Sequence, residues 1–361
     1  MNISGEVESI LERLSEHVNR SGDNLLLQEL SAPSLSLPQP WVIFFLILYI
    51  LTALASIIGN IMVVLAVYRT PSLQTEGNFY MVSLAVSDCL LVSVAAPATL
   101  TQLFISSWPF QADWIGSGLC VMTGFFPVFL SFMSTFSIIC ISLDRHRLIV
   151  HSSNKASKHM RMKIAVGLCW ILAFLFASPL LKAMQVLTHS IPVGQSFLAR
   201  SYCIENWDFN HGRLFYSLVL SSIQLILPSL IISLAHLSIN RRLTHLPFPR
   251  PRVRLYRTQR LLITIVVVFT VSWLPLNLIN LLLDLDIGDK LGIQMSDQQK
   301  RILFAAFHLI GMSSSVSNPI IYGYFNTSFR KVYSRMIFGG GRKSPSTTTN
   351  RNYVCVNQSR F

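Results

Sequence analysis

The residues of this chain that can do chemistry stand inside apolar runs. Asp88 closes Leu84-Ala85-Val86-Ser87-Asp88, and Asn318, Pro319 and Tyr322 share Asn318-Pro319-Ile320-Ile321-Tyr322. Asp144 and Arg145 lie in Leu143-Asp144-Arg145-His146, and Trp273 and Pro275 in Ser272-Trp273-Leu274-Pro275. A carboxylate in hydrocarbon is expensive, so Asp88 needs polar partners. Ser134, Ser314 and Asn318, with Asn60, are polar positions able to converge on it, with enough oxygen to hold a small cation such as sodium, or a water cluster. The other reading is a protonated Asp88, hydrogen-bonded purely for packing. The planar head of Arg145 suits the backbone carbonyls of a docked helix, although alone it is also compatible with an ordinary snorkelling arginine. Pro319 removes a backbone donor where lipid offers no substitute. Phe269, Trp273 and Pro275 form the expected hinge, because proline frees a carbonyl and permits a kink. No nucleophile, base and orienter can be assembled, and no His or Cys cluster has metal-ligand spacing. Neither an enzyme nor a metal centre is expected.

These residues need elements to position them, and composition says which. Of 361 residues 52% are hydrophobic and 12% charged, where a soluble domain carries about 25% charged residues. Segments long enough to cross roughly 30 Å of hydrocarbon fall at 41 to 68, 78 to 104, 117 to 143, 162 to 181, 213 to 239, 259 to 283 and 301 to 324. The expected fold is an all-α membrane protein, a seven-transmembrane helix bundle whose odd number of spans puts the termini on opposite sides. Arg and Lys gather in the even-numbered connections and the tail, among them Arg147, Lys155, Lys158, Arg161, Arg241, Arg242, Arg254, Arg257, Arg330 and Lys331. By the positive-inside rule those segments are cytoplasmic and the N-terminus is outside. Glu205, Asp208, Asp284, Asp286, Asp289 and Asp297 fall in or beside outer loops. The net charge of +13 is therefore a cytoplasmic excess facing anionic membrane lipid, and nucleic-acid binding does not follow from it.

Four regions result: an extracellular tail at 1–40, the bundle at 41–324, an amphipathic interfacial helix at 325–338 and a cytoplasmic tail at 339–361. The third is read from Phe325, Phe329, Val332, Tyr333 and Met336 recurring at helical spacing beside Arg330, Lys331 and Arg335. No cleavable signal peptide is evident, so the first span serves as anchor. Asn2 and Asn19 head glycosylation triplets on the outer side. Residues 6 to 18 are apolar at helical spacing, consistent with a short amphipathic helix or with a fraying tail. Cys120 and Cys203 are the two cysteines that an oxidising medium readily reaches, and a bridge between them would pin the second outer loop to the third helix. Cys89, Cys140 and Cys169 read as core packing, and Cys355 as a weak candidate for lipidation.

The four motifs, Trp108-Pro109-Phe110, Trp170, Pro228 and the Cys120/Cys203 pair resemble a rhodopsin-class G-protein-coupled receptor over 41 to 338. Within that class Asp144-Arg145-His146-Arg147, Ala177-Ser178-Pro179-Leu180, Ser272-Trp273-Leu274-Pro275-Leu276, Asp284-Leu285-Asp286 and Phe307-His308-Leu309-Ile310 resemble the neuropeptide Y and neuropeptide F receptors. The resemblance implies a plasma-membrane receptor for an amidated peptide ending in Arg-aromatic, coupled to an inhibitory heterotrimeric G protein, with arrestin and receptor kinases as further partners and no cofactor beyond an allosteric sodium ion. It makes Asp144, Arg145, Phe269, Trp273, Pro275, Asn318, Pro319 and Tyr322 the activation switch.

By the same resemblance Asp284 matches the family's acidic residue that pairs with a ligand arginine; without it, Asp284 reads equally as one more solvated loop acid beside Asp286 and Asp289. Thr99, Asn277, Asn280 and His308 fall in the outer halves of their spans, able to bind a C-terminal amide or to satisfy one another between helices. Glu205 is counted with the ligand-facing groups. The chain departs from the pattern in three respects: Pro127 stands where vertebrate relatives carry a pocket glutamine, His236 where most of the class has tyrosine, and Arg254, Leu255, Tyr256 and Arg257 leave no acid at the start of the sixth span. The alternatives are a receptor for another peptide class and a small membrane transporter, against which stands the lack of an internal repeat.

Overall fold

The computed structural model describes residues 37–105, 107–110, 112–150, 158–193, 196–209, 211–244, 250–285 and 295–339. The sites at Asn2, Asn19 and Cys355, residues 6 to 18, and Asp286 and Asp289 lie outside these described residues. Seven long helices carry the fold: α1 Gln39–Arg69, α2 Glu76–Phe104, α3 Trp114–Val150, α4 Lys158–Ala177, α5 in the consecutive segments Gly212–Ser221, Ser222–Ile226 and Leu227–Thr244, α6 Arg250–Asp284 and α7 Asp297–Phe325. A shorter helix, α8 Thr327–Phe338, follows. Among the described residues six helices are long and apolar enough to cross a membrane. The seventh, α7, carries His308, Ser313, Ser314, Ser315, Ser317 and Asn318 within its span, and these lower its hydropathy. The helices overrun the apolar spans, since flanking polar residues prolong hydrogen-bonded backbone past the hydrocarbon.

Each helix is apolar on both sides, for two different surroundings. On α1 Phe45, Tyr49, Ser56, Asn60 and Val63 are buried, while Ile43, Ile47, Ile50, Leu54, Ile58 and Ile61 form an exposed stripe at helical spacing. Ile164, Leu168, Ile171 and Leu175 do the same on α4, and Val267, Val271, Leu274 and Leu278 on α6. Exposed apolar belts of this extent need hydrocarbon around them, and the chain is a multi-pass membrane protein. The central helix is α3, buried without interruption from 129 to 139 and packed on α2, α4 and α5. Glycine permits close approaches within the bundle: a Cβ on Gly59 of α1 would stand 3.0 Å from Pro319, and one on Gly311 of α7 would stand 3.2 Å from the Trp273 ring.

Two local features stand apart from regular α-helix. The second outer loop is an antiparallel hairpin, β1 Met184–Val193 with β2 Ser196–Glu205, in which Val186 faces Cys203. The Cys120–Cys203 disulfide, with Cα atoms 5.6 Å apart, fixes this hairpin to the outer end of α3. The Trp108 N–H donates to the Ser201 carbonyl at 2.6 Å, tying the first outer loop to it as well. Within α5, Ser222–Ile226 forms a wide π turn. Pro228 accounts for it, because proline lacks the N–H that residue 224 would use and its ring presses on that carbonyl.

Ends are set locally. Ser296 and Gln299 form a reciprocal capping box at the start of α7, and the Asn326 side chain accepts from the Ser328 N–H to start α8.

Candidate functional site

A cavity of about 220 Å³ opens between the outer halves of the helices, lined by Thr99 and Gln102 of α2, Thr123, Pro127 and Ser131 of α3, Gln224 of α5, Trp273, Asn277 and Asn280 of α6, and His308 of α7, among others. Its polar groups are connected. The Gln224 amide donates to Ser131, Asn277 Nδ2 lies 3.5 Å from Gln224 Oε1, and Ser221 donates to Asn277 Oδ1 at 3.0 Å. On the opposite wall His308 Nδ1 lies 2.9 Å from the Tyr49 hydroxyl and 3.4 Å from Thr99 Oγ1, and the Phe304 ring stacks on the imidazole. The lining contains amides, hydroxyls and an imidazole but no carboxylate, ammonium or guanidinium. Chemically it suits a neutral polar group that both donates and accepts, such as a primary amide.

The charge lies further out. Asp284, the last residue of α6, is not a solvated loop acid: its side chain is 2% exposed. Ser217 donates to its Oδ2 at 2.7 Å, and Arg213 Nε stands 3.0 Å from Oδ1. That second contact is an ion pair without an aligned hydrogen bond. Glu205, the last residue of β2, lies 3.9 Å from the same Nε and accepts from Trp207 Nε1 at 3.2 Å.

Below the cavity Trp273 is the floor. Its ring packs near Phe269 at 6.2 Å, and its indole N–H donates to Ser314 at 3.1 Å. One turn further along α7, Asn318 donates to Asp88 Oδ2 at 2.8 Å, while Ser134 donates to Oδ1 at 2.8 Å. Ser134 and Asn318 thus meet Asp88, which is 2% exposed. Ser314 is engaged by Trp273, and Asn60 donates to the Ser56 and Ser315 carbonyls at 2.9 and 3.1 Å. Among the described residues no group of three His, Cys, Asp or Glu side chains could hold a metal ion.

At the cytoplasmic end Asp144 and Arg145 lie against the start of α2: a Cβ on Gly77 would come within 2.7 Å of Asp144 Oδ2 and 2.8 Å of Arg145 Nη2. His146 Nε2 lies 2.9 Å from Ser238 Oγ, joining α3 to α5. His236 is half-buried on α5, and the side chains of 254 to 257 lie outside the described residues. Tyr322 is 1% exposed, with its ring 5.8 Å from Phe329 and its hydroxyl without a hydrogen-bond partner among the described residues.

Sequence reasoning missed Gln224, Ser131, Tyr49 and Arg213. Gln224 had a signal, a long polar side chain four residues before Pro228 in an apolar run, but its direction depends on the π turn. It also supplies the amide side chain that Pro127 lacks, from another helix.

The 7 transmembrane receptor (rhodopsin family) model matches residues 59–322. The chain is 31% identical over 341 residues to a neuropeptide F receptor of Drosophila melanogaster, covering 90% of this chain and 68% of that one. It is 32% identical over 301 residues to neuropeptide Y receptor type 2 of Sus scrofa and of Homo sapiens, covering 81% of this chain and 75% of each relative.

Proposed function

Because the chain belongs to the rhodopsin family of seven-transmembrane receptors, which are not enzymes, we propose that it is a plasma-membrane receptor for a short amidated peptide ending in Arg-aromatic, with its N-terminus outside, acting on an inhibitory heterotrimeric G protein. The observation that carries this is the pairing of an uncharged, amide-lined cavity with one nearly enclosed carboxylate, Asp284, at the outer end of the helix that lines it. A peptide amide fits the first and a guanidinium the second, where a bidentate contact is stronger than in water. The names of the relatives support the same ligand class.

Activation follows from the connected polar groups. The ligand bears on Trp273, whose indole holds Ser314, one turn from the Asn318 that holds Asp88. Pro275 lets the inner half of α6 swing away from the outer half, opening a cytoplasmic cleft beside Arg145 for the G protein. Sodium at Asp88, Ser134 and Asn318 favours the resting arrangement, and agonist binding shifts the population away from it. Arrestin and receptor kinases act at the same cytoplasmic face, and α8 rests on inner-leaflet lipid.

The test is a cAMP and calcium screen in transfected cells against amidated peptides, with the free-acid form of each as control. Activation by an Arg-aromatic amide and a weaker response to its acid are expected; activation only by peptides lacking arginine overturns the reading.

A further inference from the structure

Arg213 stands where a ligand's cation would have to stand. It is the second residue of the outer segment of α5 and sets its Nε 3.0 Å from Asp284 Oδ1, while Ser217 takes Oδ2 at 2.7 Å. With 2% of the Asp284 side chain exposed, no open face of the carboxylate remains. A second guanidinium cannot simply be added, since two like charges would crowd one enclosed anion. Yet the resident pair is imperfect: Oδ1 receives no aligned donor, although it is buried, and a buried acceptor left without one is costly. A second carboxylate is within reach of the same arginine. Glu205 Oε2 is 3.9 Å from Nε, its side chain 31% exposed against 36% for Arg213. Glu205 is held in place, being two residues beyond Cys203 of the disulfide and accepting from Trp207. Arg213 is long and part-solvated, and can swing between two fixed anions.

We infer that Arg213 is a built-in stand-in for the ligand's cation: it neutralises Asp284 while the site is empty, and passes to Glu205 when the cationic side chain of a peptide takes Asp284. This rests on the peptide reading above. The exchange replaces one ion pair by another, so the ligand gains only the difference in quality between its contact and the resident one. That favours a guanidinium, which can align two donors on the carboxylate, over an ammonium, which offers a point charge. Arg213 is thus a specificity-determining residue rather than a fixed support for Asp284.

The two roles predict opposite signs. The probes are synthetic peptide amides ending in Arg-Phe-amide and in citrulline-Phe-amide, the second being a neutral isostere, used on full-length receptor at matched surface expression. Arg213→Gln removes the competitor, so potency of the arginine peptide rises, by about two- to fivefold, the scale of a part-exposed ion pair, and the citrulline peptide does not change. Glu205→Gln, which removes the second berth, lowers potency of the arginine peptide. Melting of purified ligand-free receptor supplies the readout without ligand: Arg213→Gln lowers the midpoint and the double variant with Asp284→Asn restores it, the lone buried carboxylate being the cause. If Arg213→Gln lowers or leaves unchanged the potency of an arginine peptide that activates the native receptor, Arg213 only supports Asp284 and the exchange is wrong. If neither peptide activates native receptor or variant, the ligand class itself fails and the exchange falls with it, whatever the melting shows.

Discussion

Replacing Asp284 by alanine removes the one carboxylate enclosed at the outer end of the bundle among the described residues, and the size of the effect can be worked from its surroundings. The side chain is 2% exposed, so a ligand guanidinium meeting it gives up little screening to water. A charge-assisted hydrogen bond in such a site is worth about 1.5 to 3 kcal/mol. The ligand must displace the Arg213 pair, worth about 1 kcal/mol, so at about 1.4 kcal/mol per factor of ten Asp284→Ala should weaken an Arg-aromatic amide by roughly two- to thirtyfold. Asp208 is the control: it pairs with Lys182, the two side chains being 68% and 80% exposed, and an exposed pair contributes at most about 1 kcal/mol, so Asp208→Ala should move potency by no more than about fivefold. The assay is an agonist dose response at matched surface expression, with arginine and citrulline forms of one peptide on each receptor. The native receptor should prefer arginine, and Asp284→Ala should erase that preference, which isolates the pairwise contact from any general damage. Equal losses for Asp284→Ala and Asp208→Ala, or a preference for arginine that survives in Asp284→Ala, would refute the pairing.

Four further outcomes are expected. Cys120→Ser and Cys203→Ser should each abolish surface binding of a labelled peptide, because that bridge is the covalent tie between the hairpin and α3, whereas Cys89→Ser should leave binding nearly intact; high-affinity binding in the Cys120/Cys203 double variant would show the bridge to be dispensable. Sodium should lower agonist affinity in membranes more than an equal concentration of a bulky monovalent cation, which only screens, and Asp88→Asn should remove that difference; its persistence would return Asp88 to a packing role. Gln224→Leu, by taking the amide from Ser131 and Asn277, should cut the native preference for peptide amide over free acid by roughly tenfold, the scale of one lost buried hydrogen bond; an unchanged preference would move amide recognition to Thr99 and His308. Gly59→Ala should lower the melting midpoint of purified receptor, since its Cβ would stand 3.0 Å from Pro319 and overpacking costs about 1 to 3 kcal/mol, while Gly167→Ala, with nothing within 4 Å of its Cβ, should not; the reverse order would mean that α1 and α7 are not in contact there.

Sequence alone determined the class of fold and the list of polar residues inside it. Apolar length, charge asymmetry and prolines in motifs are local quantities that act on each helix separately in the bilayer, so they are legible one segment at a time. Helix ends were less so: α3 runs on to Val150 and α6 begins at Arg250, because backbone hydrogen bonding continues where hydropathy stops. What tertiary structure decided is which distant groups meet. Asn318 and Asp88, 230 residues apart, share a hydrogen bond, as do Ser217 and Asp284, 67 apart. Ser314, grouped with Asp88 on composition, is held instead by Trp273. Gln224 enters the cavity because Pro228 forces a wide turn that shifts the helical face, and a periodicity argument assumes that face is constant. Asp284 reads from the sequence equally as a solvated loop acid or a ligand anchor, and Arg213 and Ser217 packed around it exclude the solvated acid. Helix identity depends on each segment's own contact with hydrocarbon, whereas pairing depends on packing between segments, and no single segment carries that information.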